Sequence, residues 1–293
     1  MQEKISNEQP FYGILKKNEC QGVARIIFQT KAWIGEKSNV GFINGTIMFS
    51  SVKLNVYSFN IDGVLIDTGA PRLLKEFKKF FIDVDIDQVV ISHSHEDHIG
   101  GAAYLQNEHG LPIYMNRMMI EECSRKANYP FYRKMFWGSR KPFEAQELGK
   151  TFTSRNAIWD VIETPGHAID HLSFLNRETG QLFSGDLFVQ PRTNVILREE
   201  SIPTIMESIT HVLTYDFGEL FCCHAGYVKE SRQALIRKLQ NLKELEASIL
   251  ELHKQGYHEK EIQRKLFKKK YPITFFSFGE WDSIHIIRSI IKS

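Results

Sequence analysis

The segment ISHSHEDHIGG, residues 91–101, sets His93, His95, Glu96, Asp97 and His98 within a single six-residue span. Imidazole nitrogens and carboxylate oxygens at that density are donors for a first-row metal, and neutral imidazole with carboxylate suits zinc, iron or manganese. His93 and His95 are two apart, so an extended backbone turns them to the same side. Asp97 and His98 follow where a helix would begin, on that side of the turn. Two such ions sharing a carboxylate bring a bound water close to hydroxide at neutral pH and grip a carbonyl or phosphoryl oxygen. Glu96, in the middle of the span, reads as a solvated side chain.

The stretches that deliver these residues share a form. VVIS stops at His93, WDVIETPG at His167, QLFSG at Asp186, LFCC at His224 and GVLI at Asp67. Each is a short apolar run whose next residue is a histidine or an aspartate. In α/β architectures the carboxyl ends of strands are where loops converge on one cleft, so this is the pattern of a ligand-binding edge. Cys222 and Cys223 adjoin His224, but neighbours on a strand face opposite ways, and both read as small core residues.

Strands are expected at 23–29, 52–59, 63–69 and 87–92, rich in β-branched and aromatic residues, and again from about 157 in AIWDVIE, LSFLNR, GQLFSG and ELFCC. Helical spacing marks 71–81, and 98–110 reads as a helix closed by Gly110. The aromatic and basic stretch 121–147 has poor periodicity and reads as an irregular arm or lid. Beyond residue 229 the chain turns helical: a long amphipathic helix to Gly256, a second over 258–270 and a third over 279–293. The expected division is a body of 1–228 and a helical C-terminal subdomain of 229–293.

Size and charge narrow the class. The chain has 293 residues, 42% of them hydrophobic, enough for a large buried core, and its net charge of +2 makes no demand for nucleic acid or an anionic membrane. No basic-then-apolar start resembles a secretion signal and no apolar run is long enough to span a bilayer. The four cysteines, Cys20, Cys123, Cys222 and Cys223, lack both C-x-x-C spacing and disulfide density. A cytoplasmic protein acting on a small molecule is expected, with no membrane partner.

Taken in order, H-x-H-x-D-H at His93–His98, TPGH at His167, FSGD at Asp186, CHAG at His224 and LIDTG at Asp67 resemble the metallo-β-lactamase-fold superfamily over roughly residues 20 to 228. The resemblance implies a four-layer αββα sandwich with the metals at the sheet edges. It implies one ion held by His93, His95 and His167, a second by Asp97, His98 and His224, and Asp186 bridging them. Two divalent ions, zinc first with iron or manganese as alternatives, would make a metal-bound hydroxide the nucleophile. Asp97 would position it and take its proton. Asp67 would orient a ligand histidine; His171, in GHAIDHLSF, reads either as a hydrogen-bonding residue beside the site or as a buried structural histidine. From its position shortly after Asp186, in LFVQPRTN, Arg192 is expected to contact a substrate carboxylate or phosphate. The bridging aspartate resembles the glyoxalase II and general hydrolase branch, although no glutathione-binding residues stand out.

The reading is therefore a dinuclear metal-dependent hydrolase of an ester, thioester, lactone or phosphodiester. The alternatives are a ribonuclease-type nuclease of the same fold, an iron-based sulfur oxidation that would need only one metal, and a non-catalytic metal-stabilised regulatory protein. The basic run RKLFKKK (264–270) reads as a solvated helix face rather than an RNA contact, and His109, His211, His253, His258 and His285 as residues outside the site. Trp281, Ile284, Ile287 and Ile290 or Ile291, with Phe275, Phe276 and Phe278 before them, form an apolar stripe that must be covered by the long helix, the body or a second chain in a homodimer. A place beside the cleft, with the 121–147 arm, would make this segment a wall of the substrate pocket.

Overall fold

The computed structural model describes residues 28–293. The expected strand over 23–29 therefore falls, but for its last two residues, outside the described chain. The first sheet runs in chain order through β1 (Gln29–Lys37), β2 (Val40–Phe49), β3 (Val52–Ile61), β4 (Val64–Ile66), β5 (Gln88–Val90), β6 (Ile113–Met115) and β7 (Gln146–Glu147). Pairing is antiparallel as far as β4 and parallel from β4 to β7. Its connections carry α1 (Leu74–Asp83), α2 (Ala102–His109), α3 (Ile120–Ser124) and α4 (Phe131–Trp137).

The second sheet is formed by β8 (Thr151–Thr153), β9 (Ile158–Glu163), β10 (Leu172–Asn176), β11 (Gln181–Phe183), β13 (Glu219–Cys222) and β14 (Gly226–Val228). Between β11 and β13 lie the two-residue β12 (Ile196–Leu197) and α5 (Ile202–Val212). The chain ends with α6 (Ser231–Lys254), α7 (Glu259–Leu266), α8 (Pro272–Phe276), β15 (Trp281–Asp282) and α9 (Ser283–Ile291).

Three apolar clusters define four layers. Ile43, Ile47 and Val56 on one face of the first sheet meet Leu73, Phe77 and Phe81 of the α1 region. Phe59, Ile66 and Val90 on its other face meet Trp159, Phe174, Phe183 and Phe221 of the second sheet. The outer face of that sheet, through Leu182 and Leu220, meets Ile205 and Ile209 of α5 and Leu235 and Leu242 of α6. This is the αββα sandwich. Of the described residues, no helix is long and apolar enough to cross a membrane.

The C-terminal segment divides between two layers. Ile284, Ile286, Ile287 and Ile290 of α9 are buried in the cluster outside the second sheet, so the stripe is covered by the long helix and the body together. Trp281 belongs to β15 rather than to the helix, and β15 pairs with β12. Phe276 goes to the opposite side, with ring centroids 5.2 Å from Phe49 and 5.8 Å from Phe136.

Several elements depart from the sequence expectation. The helix expected over 71–81 opens as a single 3-10 turn, Pro71–Leu73, before α1. The one over 98–110 regularises only at Ala102, and Gly110 closes it in the left-handed conformation at φ 67°. The 121–147 arm is irregular only in part: between Pro130 and Gly138 it forms α4, with Tyr132, Arg133, Phe136 and Trp137 buried. Its two turns are too short to show a period in a sequence window. Replacing Ile287, fully buried in α9, by alanine should cost about 2–5 kcal/mol in chemical denaturation. Because α9 shares its core with the second sheet, the transition should stay single.

Candidate metal centre

Parallel pairing sets the site. β4 and β5 run side by side, as do β11 and β13, so the carboxyl ends of all four meet where the two sheets face each other. Asp67 follows β4, His93–His98 follow β5, Asp186 follows β11 and His224 follows β13, while His167 and His171 come from the β9–β10 connection. All seven residues of the expected ligand set are brought together. The donor atoms of His93, His95 and His167 lie within 4.8 Å of one another, as do those of Asp97, His98 and His224, and those of His93, His98 and Asp186. Asp186 is central: its Oδ2 is 2.9 Å from His224 Nε2 and 3.4 Å from His167 Nε2, and its Oδ1 is 3.5 Å from His98 Nε2.

Each of three ring nitrogens turned away from the centre has a partner. His98 Nδ1 meets Asp67 Oδ2 at 2.9 Å, His167 Nδ1 meets Glu200 Oε2 at 3.1 Å, and His224 Nδ1 meets the Asn55 carbonyl. Such contacts fix the tautomer and direct the other nitrogen inward. Asp67 has a backbone φ of 58°, and its carboxylate also accepts from Ser92 N–H (2.7 Å), Ser92 Oγ (2.7 Å) and the Cys223 thiol (2.8 Å). His171 Nε2 accepts from the Asp186 backbone N–H at 2.9 Å and its Nδ1 lies 2.8 Å from Thr164 Oγ1, so it steadies Asp186 from behind. Gly185 makes room for this: a Cβ there would stand 2.6 Å from His171 Nε2. The Asp67–His98–Cys223 group is also close enough for a metal, but its atoms are already joined by these hydrogen bonds.

Electrostatics separates the histidines. Burial, then the neighbouring imidazoles, holds His93 well below the usual range, and burial with the Arg133 charge does the same for His95. Burial pushes His171 down to about 3, so it is neutral. Burial also opposes charge on His98 and His224, but Asp186 and its neighbouring carboxylates outweigh it. His98 ends well above its usual range and His224 at about 9. His167 is raised against its burial by Glu200 and Asp186. Asp186 is held well below the carboxylate range, its burial outweighed by His224 and His98. Without another cation the carboxylates draw protons onto these imidazoles.

The test of fit is hydrogen bonding. His93 Nε2, His98 Nε2 and Asp186 Oδ1 are buried with no hydrogen-bond partner, and they form one of the close-set groups. Buried polar atoms are normally paired, and three orphans at one point are what a bound cation would satisfy. Nitrogen and oxygen donors of this kind fit a first-row divalent metal.

Other residues escaped the sequence reading. Glu96 is not solvated: it is 1% exposed, with both oxygens 2.7 Å from the Arg133 guanidinium. Glu200 sits in REES, which looks like surface charge, yet it is buried against His167. Cys223 faces Asp67 rather than packing as a plain apolar residue; burial and the Asp67 charge hold its thiol protonated, able to donate. Asp170 caps the Ser94 N–H at 2.8 Å. Arg192 is exposed and lines a groove of about 520 Å³ with Gln190, Arg237 and Asn241, among whose lining residues none belongs to the cluster. His109, His211, His253 and His258 are exposed or half-buried away from the centre, and His285 is buried with Nε2 2.9 Å from the Gly279 carbonyl.

Four layers with this donor set at the facing sheet edges define the metallo-β-lactamase fold. The chain belongs to the metallo-beta-lactamase superfamily, whose sequence pattern matches residues 60–278. It is similar to thioesterase pkgB of Emericella nidulans, 26% identical over 196 residues, 64% of this chain and 48% of that one. It is also similar to the atrochrysone carboxyl ACP thioesterase of Passalora fulva, 25% identical over 214 residues, 70% of this chain and 58% of that one. The beta-lactamase-like protein 2 homolog of Caenorhabditis elegans is 24% identical over 201 residues, 66% of this chain and 62% of that one. The chain thus spans 48–62% of the length of these three relatives. Among solved structures it resembles a beta-lactamase domain protein from Burkholderia ambifaria, with TM-score 0.63 and 16% identity over 88% of this chain and 87% of that one. A metallo-beta-lactamase family protein from Thermus thermophilus has TM-score 0.60 and 15% identity over 82% of this chain and 88% of that one.

The turn after Asp186 is secured from the C-terminal side. Val189 has φ 49°, an outlier for a β-branched residue. Its N–H donates to Cys222 Sγ at 3.3 Å, and the buried Lys238 of α6 donates to the Phe188 carbonyl at 2.5 Å. Burial lowers Lys238 to about 8, against an unfolded value of about 10.4. Between those values the unfolded chain binds more protons, so stability rises with pH across the window and is lost as pH falls through the folded value. Denaturation of the native chain and of Lys238→Met across this range should show the stability of the native chain relative to the variant rising with pH, since the other titrating groups are common to both.

Proposed function

We propose that this chain is a metal-dependent hydrolase of thioesters that works with two divalent ions. The observation that carries the reading is the meeting of His93 Nε2, His98 Nε2 and Asp186 Oδ1, all buried and unpartnered, within a larger ring of nitrogen and oxygen donors. First-row ions held there would supply Lewis acidity and make hydroxide available near neutral pH. His93, His95 and His167 would hold one ion and Asp97, His98 and His224 the other. Asp186 stands between the two sets because its oxygens face both. No hydrogen bond from a backbone or hydroxyl donor to the Asp97 carboxylate is found among the described residues, and its Oδ2 lies 3.5 Å from His224 Nε2 and 3.8 Å from His98 Nε2. In this reading Asp97 would orient an attacking water and take up its proton.

Two observations support a thioester. Two of the relatives above are named as thioesterases. Every histidine at the centre is committed, either toward the donor ring or, for His171, to Asp186 and Thr164. None is left to protonate a poor leaving group. A thiol, with a pKa of about 8.5, departs as thiolate without such help.

A hydrolysis screen on metal-replete protein tests the substrate class, with acyl thioesters, lactones, bis-p-nitrophenyl phosphate and short RNA offered in parallel. Thioester turnover is expected. Turnover of RNA without thioesters would replace this reading with a nuclease. Elemental analysis after zinc loading and desalting should plateau near two ions per chain, and a firm plateau at one would overturn the dinuclear arrangement. Asp186→Asn should keep the far-ultraviolet circular dichroism while losing metal and nearly all turnover. Glu200→Gln, which weakens the acceptor behind His167, should loosen metal binding about 10- to 100-fold in a chelator competition.

A further inference from the structure

Residues 264–278 are a stretch rich in exposed side chains that the candidate metal centre does not use. Arg264, Lys265, Lys268, Lys269 and Lys270 line its basic part, and among the described residues none of the five forms an ion pair with a carboxylate. Two of their ammonium groups lie over tyrosine rings, Lys265 on Tyr257 at 4.3 Å and Lys269 on Tyr271 at 5.0 Å, which steadies them while leaving the charge uncompensated. Directly after them α8 carries Phe275, 90% exposed, and the following turn carries Phe278, 87% exposed. No other exposed large apolar side chain of the described residues stands as far out.

These rings are not on a loose tail. Phe276 between them is anchored against Phe49 and Phe136, and Ser277 is buried. Phe278 is held at φ 53°, a conformation uncommon for a bulky residue, with its N–H bonded to the Phe275 carbonyl at 3.1 Å. A turn strained in this way and pinned from below presents two phenylalanines outward, a few residues after the exposed lysine run 268–270.

We propose that this edge is a docking surface for an anionic lipid bilayer, with the lysines over the headgroup phosphates and Phe275 and Phe278 entering the acyl boundary. Aromatic side chains beside a lysine-rich face are the composition of an interfacial contact, and clustered lysines draw a protein to anionic lipid. Two other partners fit less well. Protein interfaces are depleted in lysine and enriched in arginine, whereas four of these five cations are lysines. Single-stranded nucleic acid stacks on rings within a charged groove, whereas these rings stand clear of the surface. The net charge of +2 hides the patch because acidic residues elsewhere balance it. The surface also adjoins the elements that build the metal centre, since Phe276 packs on Phe136 of α4, and Arg133 of the same helix holds Glu96.

Vesicle sedimentation of the full chain tests the proposal. Wild-type protein should pellet with equimolar phosphatidylcholine–phosphatidylserine vesicles at low salt, remain in the supernatant with phosphatidylcholine alone, and be released as ionic strength rises. Lys268→Gln/Lys269→Gln/Lys270→Gln should lower partitioning on the order of 100-fold, and Phe275→Ser/Phe278→Ser roughly tenfold. Wild-type protein that ignores the anionic vesicles, or variants that bind as wild type does, would overturn it. So would a lower melting temperature in the phenylalanine variant, because the rings would then be packed in solution. Tighter binding of a uridine oligomer than of the vesicles, dependent on the same residues, would make this a nucleic-acid surface instead.

Discussion

The carboxylate of Asp67 accepts from the backbone N–H and hydroxyl of Ser92, from His98 Nδ1 and from the Cys223 thiol, all within 2.9 Å. These groups follow three different strands, β4 supplying the acceptor itself and β5 and β13 the rest. A wholly buried carboxylate is tolerable only when its oxygens are satisfied, so these strand ends hold one another at fixed separation. Because β13 belongs to the other sheet, the same carboxylate sets the distance between sheet edges across which the donors must meet. His98 and His224 point inward because Asp67 and the backbone of Asn55 hold their far nitrogens. The candidate metal centre is the open face of a polar knot whose closed face is Asp67.

A second tier of support arrives late in the chain. Lys238 reaches from α6 to the turn that follows Asp186, and Arg133 joins α4 to the histidine-rich loop through Glu96. The centre therefore depends on helices in both outer layers as well as on the strands that carry it. Lys238 thus reaches back across residue 228, the boundary expected between body and helical subdomain.

What the sequence discloses follows from locality. The donors were legible because His93, His167, Asp186 and His224 each follow an apolar run, while His95, Asp97 and His98 crowd into the segment after His93, and such a pattern has few structural explanations. Asp67 was legible through the family resemblance of LIDTG. Glu96, Glu200 and Arg133 were not, because a buried ion pair between residues 37 apart leaves no local pattern, and charged residues in a loop look the same whether solvated or paired. The β1–β2 hairpin was missed for another reason. Trp33 and Ile34 are consecutive and both about half exposed, at 50% and 48%, so the alternation that betrays a half-buried strand is absent. Its Ser38–Asn39 turn, with both residues at positive φ, was the available sign. Helix α5 is crowded with β-branched residues, although Ser201 as N-cap and Pro203 just inside marked its start.

The pairing of β12 with β15 carries a consequence for the life of the chain on the ribosome. Glu200, which holds His167, lies just beyond β12, and the only strand partner of β12 among the described residues is at Trp281–Asp282. The ligand residues are all translated by residue 224, but the clamp behind one of them waits for a segment nearly sixty residues further on. At about 5–20 residues per second, the nascent chain spends seconds with its imidazoles and carboxylates gathered and His167 not yet braced. The brace behind His167 thus rests on a segment made well after every residue of the donor set, which couples the order of synthesis to the order in which the site is steadied.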